Sequence, residues 1–211
     1  PEHYGISEKE LPVYLEYEGQ IARLEVEDKS LTTGVSITKT GPKEIMANQP
    51  VRFAFSQIAN TSNVSLSNFY WRDTLPAQVT VNRLVTGTYN QAQNYKIVYK
   101  VNGAGAYRTL ADNLSTTKNY VLDMRPAVLG LAANERVTEI MFVFGTVPSG
   151  FAPVETPVLY GTVCGGLSNG TNLVNSADVG GLYSGQWVQA VSRWLTTVYA
   201  KMTMTLPKTG Y

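Results

Sequence analysis

The predicted fold is built around residues Asn60–Pro76, which read Asn-Thr-Ser-Asn-Val-Ser-Leu-Ser-Asn-Phe-Tyr-Trp-Arg-Asp-Thr-Leu-Pro. A run of polar turn-forming residues leads into the aromatic triplet Phe69–Trp71, and Pro76 ends what the pattern predicts to be a short buried strand. Asp73 stands near the end of that strand. Its carboxylate is therefore either solvated at a strand terminus or held in an apolar interior, and the two cases imply different chemistry.

The composition favours a globular, all-β chain. Of the 211 residues, 44% are hydrophobic and 16% are charged, and the 13 Tyr and 18 Gly residues suit strands and turns. Seventeen basic and 16 acidic residues give a formal charge of +1. Because the basic residues are scattered, we expect no nucleic-acid partner. The chain begins at Pro1 without a signal peptide, so we expect it to be a segment of a longer protein.

Cysteine and histidine are too rare for the common metal and redox sites. A single cysteine, Cys164, excludes an internal disulfide, and a single histidine, His3, leaves no His/Cys cluster. We expect no metal and no cofactor, a partly buried Cys164 and a surface His3. The glycines Gly165–Gly166 and Gly170 lack the strand-then-helix setting of a phosphate loop and indicate a bend or long loop. No pair of catalytic groups can be assembled, so an enzyme is not predicted.

Alternating apolar and polar residues predict a series of short strands. In Val51–Ile58, for example, Val51, Phe53 and Phe55 alternate with polar side chains, so one face is buried. Asn102-Gly103 is a strong hairpin signal. The other predicted strands are Leu11–Tyr17, Ile21–Val26, Val35–Thr40, Val79–Leu84, Tyr95–Val101, Tyr107–Leu110, Tyr120–Met124, Val137–Phe144, Val158–Val163, Asn172–Val179, Trp187–Thr197 and Tyr199–Met204.

The segment Trp187–Ala200 fits helical spacing almost as well as strand spacing. Its β-branched residues, concentrated in Leu195–Tyr199, favour a strand.

Four motifs together resemble the DUF11-like and CnaA-like Ig-type domains of bacterial surface and pilus proteins. They are Ser36–Thr40, the strand Val51–Asn60, Phe69–Pro76 and Leu173–Val179. The resemblance covers Val35–Tyr211 and implies an Ig-like β-sandwich. The chain departs from the family pattern in its long segment Leu84–Phe151 and in Cys164-Gly165-Gly166.

This resemblance implies an intramolecular isopeptide bond, in which Lys39 joins Asn175 with Asp73 as the assisting acid. Such chemistry requires burial, because an amine attacks only when it is neutral. Lys39 lies between two threonines in an alternating strand, so the pattern does not fix the face on which it points. In the alternative interpretation, Lys39 is solvated, Asp73 caps a turn and Asn175 lies in a loop. The three residues would then have a structural role only. Other residues that could fill the acid and amide roles are Glu135, Glu139, Asp123 and Asn172.

The first residues of the chain predict a separate hairpin. Tyr4-Gly5, Leu11-Pro12-Val13 and the strands joined at Glu18-Gly19 resemble the closing strands of a SpaA-type or Cna B-type prealbumin-like domain. The resemblance covers about 30 residues and implies that the rest of such a domain would lie upstream.

The end of the chain carries the most specific motif: Leu206, Pro207, Lys208, Thr209 and Gly210. It resembles the Leu-Pro-x-Thr-Gly sorting signal of Gram-positive surface proteins. The resemblance implies that a sortase cysteine attacks the Thr209 carbonyl and transfers the chain to an amine of peptidoglycan or of a neighbouring pilin. Pro207 bends such a peptide, and Gly210 lets an enzyme approach the scissile bond closely.

The sequence therefore predicts three parts: residues 1–33 as the end of a SpaA/Cna B-like domain, residues 34–204 as an Ig-type sandwich and residues 205–211 as a sorting tail. The expected function is that of a structural stalk in an extracellular, cell-wall-anchored adhesin or pilin-like protein. The alternative is a module that binds a host glycan or matrix protein. Its site would combine Leu84–Phe151 with Trp187, Trp194 and Tyr183, although core packing is the commoner use of such rings.

Overall fold

The computed structural model of the chain describes residues 13–17, 19–24 and 30–200. The chain divides into two compact units, Pro1–Thr32 and Thr33–Tyr211. In the first unit, β1 and β2 pair antiparallel around Gly19, whose φ is +75°. A hairpin is thus present where the sequence predicts one, and its membership of a prealbumin-like domain stays a prediction.

The chain consists of strands with one short helix in its described part. Their bounds in chain order are β1 Val13–Tyr17, β2 Gln20–Leu24, β3 Val35–Thr40, β4 Glu44–Ile45, β5 Pro50–Asn60, β6 Leu66–Thr74, β7 Val79–Val85, β8 Thr88–Tyr89, β9 Asn94–Val101, β10 Ala104–Ser115, β11 Val121–Asp123, α1 Pro126–Leu129, β12 Val137–Val147, β13 Pro153–Glu155, β14 Val158–Val163, β15 Asn172–Tyr183 and β16 Gln186–Val198.

Two large sheets and a two-stranded sheet of β13 and β8 make up the described part of the second unit. The larger has the order β10-β9-β12-β6-β15-β16-β4, and the smaller has the order β11-β7-β14-β5-β3. All their pairings are antiparallel except the short parallel contact of β16 with β4. Inward-facing side chains of both sheets share one hydrophobic core. The predicted all-β, Ig-like sandwich is confirmed.

Trp71, from the aromatic triplet, lies at the centre of this core. Its ring is 1% exposed, stacks on Phe142 with centroids 4.1 Å apart and meets Phe55 of the opposite sheet at 4.7 Å. The indole N–H donates to the Tyr89 hydroxyl at 3.1 Å, so its polar group is satisfied. β6, the strand that follows the polar turn, therefore supplies a ring that contacts side chains of both sheets.

Most strand predictions are confirmed, and the exceptions have physical reasons. Trp187–Thr197 is a strand and not a helix, and Asn102-Gly103 turns with both φ values positive, at 52° and 65°. The predicted strand Tyr199–Met204 is wrong at its start. Residue 199 is not in a strand, because β15 begins opposite Thr197 and offers no partner beyond it. Residues 201–204 lie outside the described part.

The long segment Leu84–Phe151, which the alternative hypothesis places in a binding site, is part of the sandwich. It supplies β8 to β12, of which β9 and β12 are interior strands of the larger sheet. The sequence does not predict β4, β8 and β13, because strands of two or three residues have no alternation to detect.

One outer edge of the larger sheet is irregular. β10 pairs with β9 through three register shifts along its length, and most of its side chains are exposed. Register shifts of this kind bend and twist a strand.

Within the described ranges, no helix is long and apolar enough to cross a membrane.

Candidate functional site

Lys39 is a fully enclosed lysine. It lies on the inner face of β3 with Ile37, and it is 2% exposed. Its Nζ is 4.3 Å from the centroid of the Phe55 ring and 4.7 Å from that of Phe53. Both rings are on β5, the antiparallel neighbour of β3. The amine is therefore held against apolar surfaces, where an ammonium group is poorly solvated.

Asp73 is the partner of this amine. It follows Trp71 by two residues on the inner face of β6 and is 1% exposed. Its Oδ1 accepts a short hydrogen bond from Lys39 Nζ, whereas its Oδ2 has no hydrogen-bond partner among the described residues. Of the two cases that the sequence left open, the apolar interior is the correct one.

Asn175 completes the cluster from β15. Ala177 lies directly opposite Asp73 in the pairing of β15 with β6, and Asn175 is two residues further along the same face. It is 0% exposed, and neither Oδ1 nor Nδ2 has a hydrogen-bond partner in the described part of the chain. Burying such atoms without partners costs about 1–3 kcal/mol each, so an unpaired buried carboxamide requires an explanation.

Burial shifts the pKa values of Lys39 and Asp73 toward each other. Burial lowers the pKa of Lys39 from 10.5 to about 8, although the attraction of Asp73 opposes the change. Burial also raises the pKa of Asp73, against the opposing attraction of Lys39 and a smaller influence of the nearby Asn175 amide. Both shifts move the proton from the amine toward the carboxyl group. The cluster can hold a nucleophilic amine, a carboxylic acid and a carboxamide in one water-poor space.

The alternative acids and amide lie elsewhere. Glu139 accepts a hydrogen bond from the Tyr107 hydroxyl at 2.6 Å, while Glu135 and Asp123 pair with arginines at the surface. Asn172 is exposed at the start of β15. Among the candidates that the sequence offers, Lys39, Asp73 and Asn175 are the three that the fold brings together.

Phe53 and Phe55 also belong to the site, although the sequence marked them only as one buried face. Their alternation shows that they point inward but not which side chain they meet. The contact arises because β3 and β5 are neighbours, which a single sequence does not reveal.

The three rings of the alternative hypothesis do not form one platform, and Tyr183 and Trp194 pack against the core. Trp187 and Trp194 are seven residues apart on β16, whose pairing with β15 has no register shift, so they lie on opposite faces. Trp187 is 53% exposed and meets the edge of Tyr70, whereas Trp194 is half-buried and donates its indole N–H to the Pro42 carbonyl at 2.9 Å. Tyr183 shares the inward side with Trp194.

The remaining sequence candidates lie in loops or outside the described residues. Cys164 is half-buried, as expected for a small structural residue. The glycines after it lie in the loop between β14 and β15. His3 and the motif Leu206–Gly210 lie outside the described residues. In the described part of the chain, no group of three or more His, Cys, Asp or Glu side chains could hold a metal ion.

Comparison with known proteins gives similarity of structure alone. No family model matches the chain, and no curated protein matches it. Among solved structures, a cohesin module from a Clostridium perfringens family 33 glycoside hydrolase has a TM-score of 0.41 and 9% identity over 80% of this chain and 98% of that one. The collagen-binding domain of a Staphylococcus aureus adhesin has a TM-score of 0.31 and 12% identity over 76% and 99%. The Enterococcus faecalis MSCRAMM ACE, which binds its ligands by the collagen hug model, has a TM-score of 0.37 and 14% identity over 89% and 60%. Identities and TM-scores this low transfer neither a ligand nor a residue role to this chain.

Proposed function

We propose that the second unit is a structural stalk domain strengthened by an isopeptide bond between Lys39 and Asn175. The observation that carries the proposal is the set of three buried polar atoms without partners, Asp73 Oδ2 and both side-chain polar atoms of Asn175, beside a buried lysine. Buried polar atoms without partners destabilise a fold, and bond formation would remove one of the three, Asn175 Nδ2, as ammonia. Bond formation would turn the carboxamide and amine into one amide.

The reaction balances with the groups present. The neutral amine of Lys39 attacks Cγ of Asn175, while protonated Asp73 polarises the carbonyl oxygen and then passes its proton to the leaving nitrogen. An Nζ–Cγ bond forms, the Cγ–Nδ2 bond breaks, and ammonia leaves. No oxidant, metal or external cofactor is needed. Asp73 is protonated again at the end of the reaction, because it takes up the proton that the lysine nitrogen releases.

The position of the bond supports a mechanical role. It would join β3, the first strand of the second unit, to β15, which lies in the other sheet. The enclosed loop runs from residue 39 to residue 175 and contains most of the sandwich. A force that pulls on the two ends of the unit would then pass through the covalent link. It would not load the strands between residues 39 and 175.

We propose further that the chain is attached to a Gram-positive cell wall through Leu206–Gly210. Thr209 would be joined by a sortase to peptidoglycan or to a neighbouring pilin, which makes the chain a substrate of an enzyme and not itself one. The extracellular location follows from the same proposal. Binding of a host glycan or matrix protein is the alternative, and the exposed ring of Trp187 on the outer face of β16 is the feature that favours it.

Intact mass spectrometry tests the isopeptide bond. We expect the wild-type chain to weigh one ammonia less than its calculated mass, and Lys39→Ala to have its full calculated mass, because the variant lacks the attacking amine. A peptide containing Lys39 joined to one containing Asn175 after proteolysis would identify the bonded atoms. A wild-type chain of full mass would contradict the proposal.

A transpeptidation assay tests the sorting tail independently. With a class A-type sortase and an oligoglycine amine, we expect release of Gly210-Tyr211 and a conjugate through Thr209. The variant Thr209→Ala, which changes the residue whose carbonyl is attacked, should give neither product. An inert wild-type tail under conditions that cleave a control Leu-Pro-x-Thr-Gly peptide would refute wall attachment by this route.

A further inference from the structure

Three inward-facing side chains of β16 bind the backbone of the segment that carries Lys39. The Lys39 backbone N–H donates to Ser192 Oγ at 3.0 Å. The Trp194 indole N–H and the Thr196 hydroxyl both donate to the carbonyl of Pro42, at 2.9 and 2.8 Å. Residues 192, 194 and 196 alternate along the strand and so share one face. We call Ser192, Trp194 and Thr196 the polar ladder.

The polar ladder lies opposite the part of β15 that carries the carboxamide. In the pairing of β15 with β16, Trp194 is directly opposite Asn175, and Ser192 is opposite Ala177. Directly opposed residues have their Cβ atoms about 4.5–5.5 Å apart. The same three side chains therefore bind the segment of residues 39–42, which begins with the nucleophile, and lie on the strand paired with that of the electrophile.

At the level of Lys39, no strand pairing in the described part of the chain joins β3 to β16. β3 ends the smaller sheet, and β16 pairs with the following β4 through Thr197 and Val198 alone. In the described part of the chain, the hydrogen bonds that join residues 39–42 to β16 are thus the side-chain bonds of the polar ladder. They span the gap between the edges of the two sheets.

Close packing makes this junction rigid. A Cβ atom placed on Gly41 would be 2.7 Å from a carbon of the Phe53 ring and 3.1 Å from Cδ1 of Trp194. The Gly41 backbone is therefore in contact with a ring that touches the Lys39 amine and with the indole beside Asn175. The geometry leaves little freedom for the lysine strand to move relative to the hairpin.

We propose that the polar ladder positions Lys39 for attack on Asn175, so that Trp194 and Thr196 set the rate of isopeptide bond formation without taking part in its chemistry. This inference rests on the proposed bond. Displacing reacting groups by about 1 Å can slow a reaction about 100-fold. Since two hydrogen bonds converge on one carbonyl, removing both should loosen the segment more than removing either.

The test follows bond formation in newly made chains. The proteins compared are wild type and Trp194→Phe/Thr196→Val, which keeps an aromatic ring at residue 194 and the side-chain shape at residue 196 but donates no hydrogen bond to Pro42. Both are produced by cell-free synthesis, stopped at intervals and weighed intact. We expect the double variant to lose ammonia about 10- to 100-fold more slowly than wild type. Thr197→Val is the matched control, because this neighbouring hydroxyl faces the other way, toward Asn172 at 3.3 Å, and its rate should equal that of wild type.

Two further variants separate positioning from general destabilisation. Thr196→Val alone leaves the Trp194 hydrogen bond and should slow the reaction less than the double change. Adding the donor back, as Trp194→Phe/Thr196→Ser, should restore much of the rate. A double variant that reacts as fast as Thr197→Val would overturn the positioning role while leaving the bond intact. A wild-type chain that never loses ammonia would overturn the bond and this role together.

Discussion

Asp73→Ala is expected to keep its full calculated mass and to lose roughly 5 kcal/mol of unfolding free energy relative to wild type. The reason is that the variant keeps Lys39 and Asn175 but lacks the acid that takes the proton from the amine. Without the bond, the unfolded chain regains the entropy that a cross-link removes, which is about 4.7 kcal/mol for a loop of about 100 residues. Mass spectrometry and chemical denaturation of the same samples measure both effects.

Asp178→Ala is the matched control for this variant. Asp178 is also a strand carboxylate, but it lies on the outer face of β15, where it binds Arg72 through two hydrogen bonds of 2.9 Å. We expect Asp178→Ala to form the isopeptide bond fully and to lose about 1 kcal/mol, as is usual for partly exposed ion pairs. If Asp73→Ala forms the bond as completely as Asp178→Ala, Asp73 is not the assisting acid.

Asn175→Ala, which cannot form the bond, is expected to become more stable as the pH rises from 8 to 10.5. In the folded variant Lys39 stays a free buried amine with a pKa near 8, whereas in the unfolded chain its pKa is 10.5. Within this window the unfolded chain binds more protons, so the free energy of unfolding rises with pH. At about 1.4 kcal/mol per pKa unit, the gain is on the order of 3 kcal/mol. Denaturation curves at several pH values measure it.

Wild type provides the comparison for this titration. Once its Lys39 nitrogen is part of an amide it no longer titrates, so wild type should lack the alkaline gain, and other groups contribute equally to both proteins. Asp73 acts in the opposite sense at lower pH. Its raised pKa makes the folded variant bind more protons just above pH 3.8, so stability falls as pH rises there. Parallel pH profiles of the two proteins would contradict a buried, unreacted lysine in Asn175→Ala.

Composition and alternation were enough to predict the class of fold. Phe53 and Phe55 alternate with polar residues over many positions, so their strand and its buried face are visible in the sequence. β4 and β8 were missed because each has two residues, which carry no periodic signal. These short strands form through pairing with distant segments, and the local sequence does not encode that pairing.

The candidate site was predicted from motif resemblance more than from pattern. Lys39 has a threonine on each side, so alternation left its direction open. In the structure it points inward because β3 alternates without interruption and Lys39 lies two residues after Ile37, whose side chain is in the core. The contributions of Trp194 and Thr196 could not be predicted, since they depend on how two sheet edges meet.

The irregular edge formed by β10 has a consequence for chains that stand close together on a surface. A straight edge strand offers a regular row of donors and acceptors to which a neighbouring molecule can add its own strand. The three register shifts of β10 interrupt that row, so this edge offers crowded copies no uniform template for fibre growth. A protein that is tethered at high density can then remain a set of separate molecules.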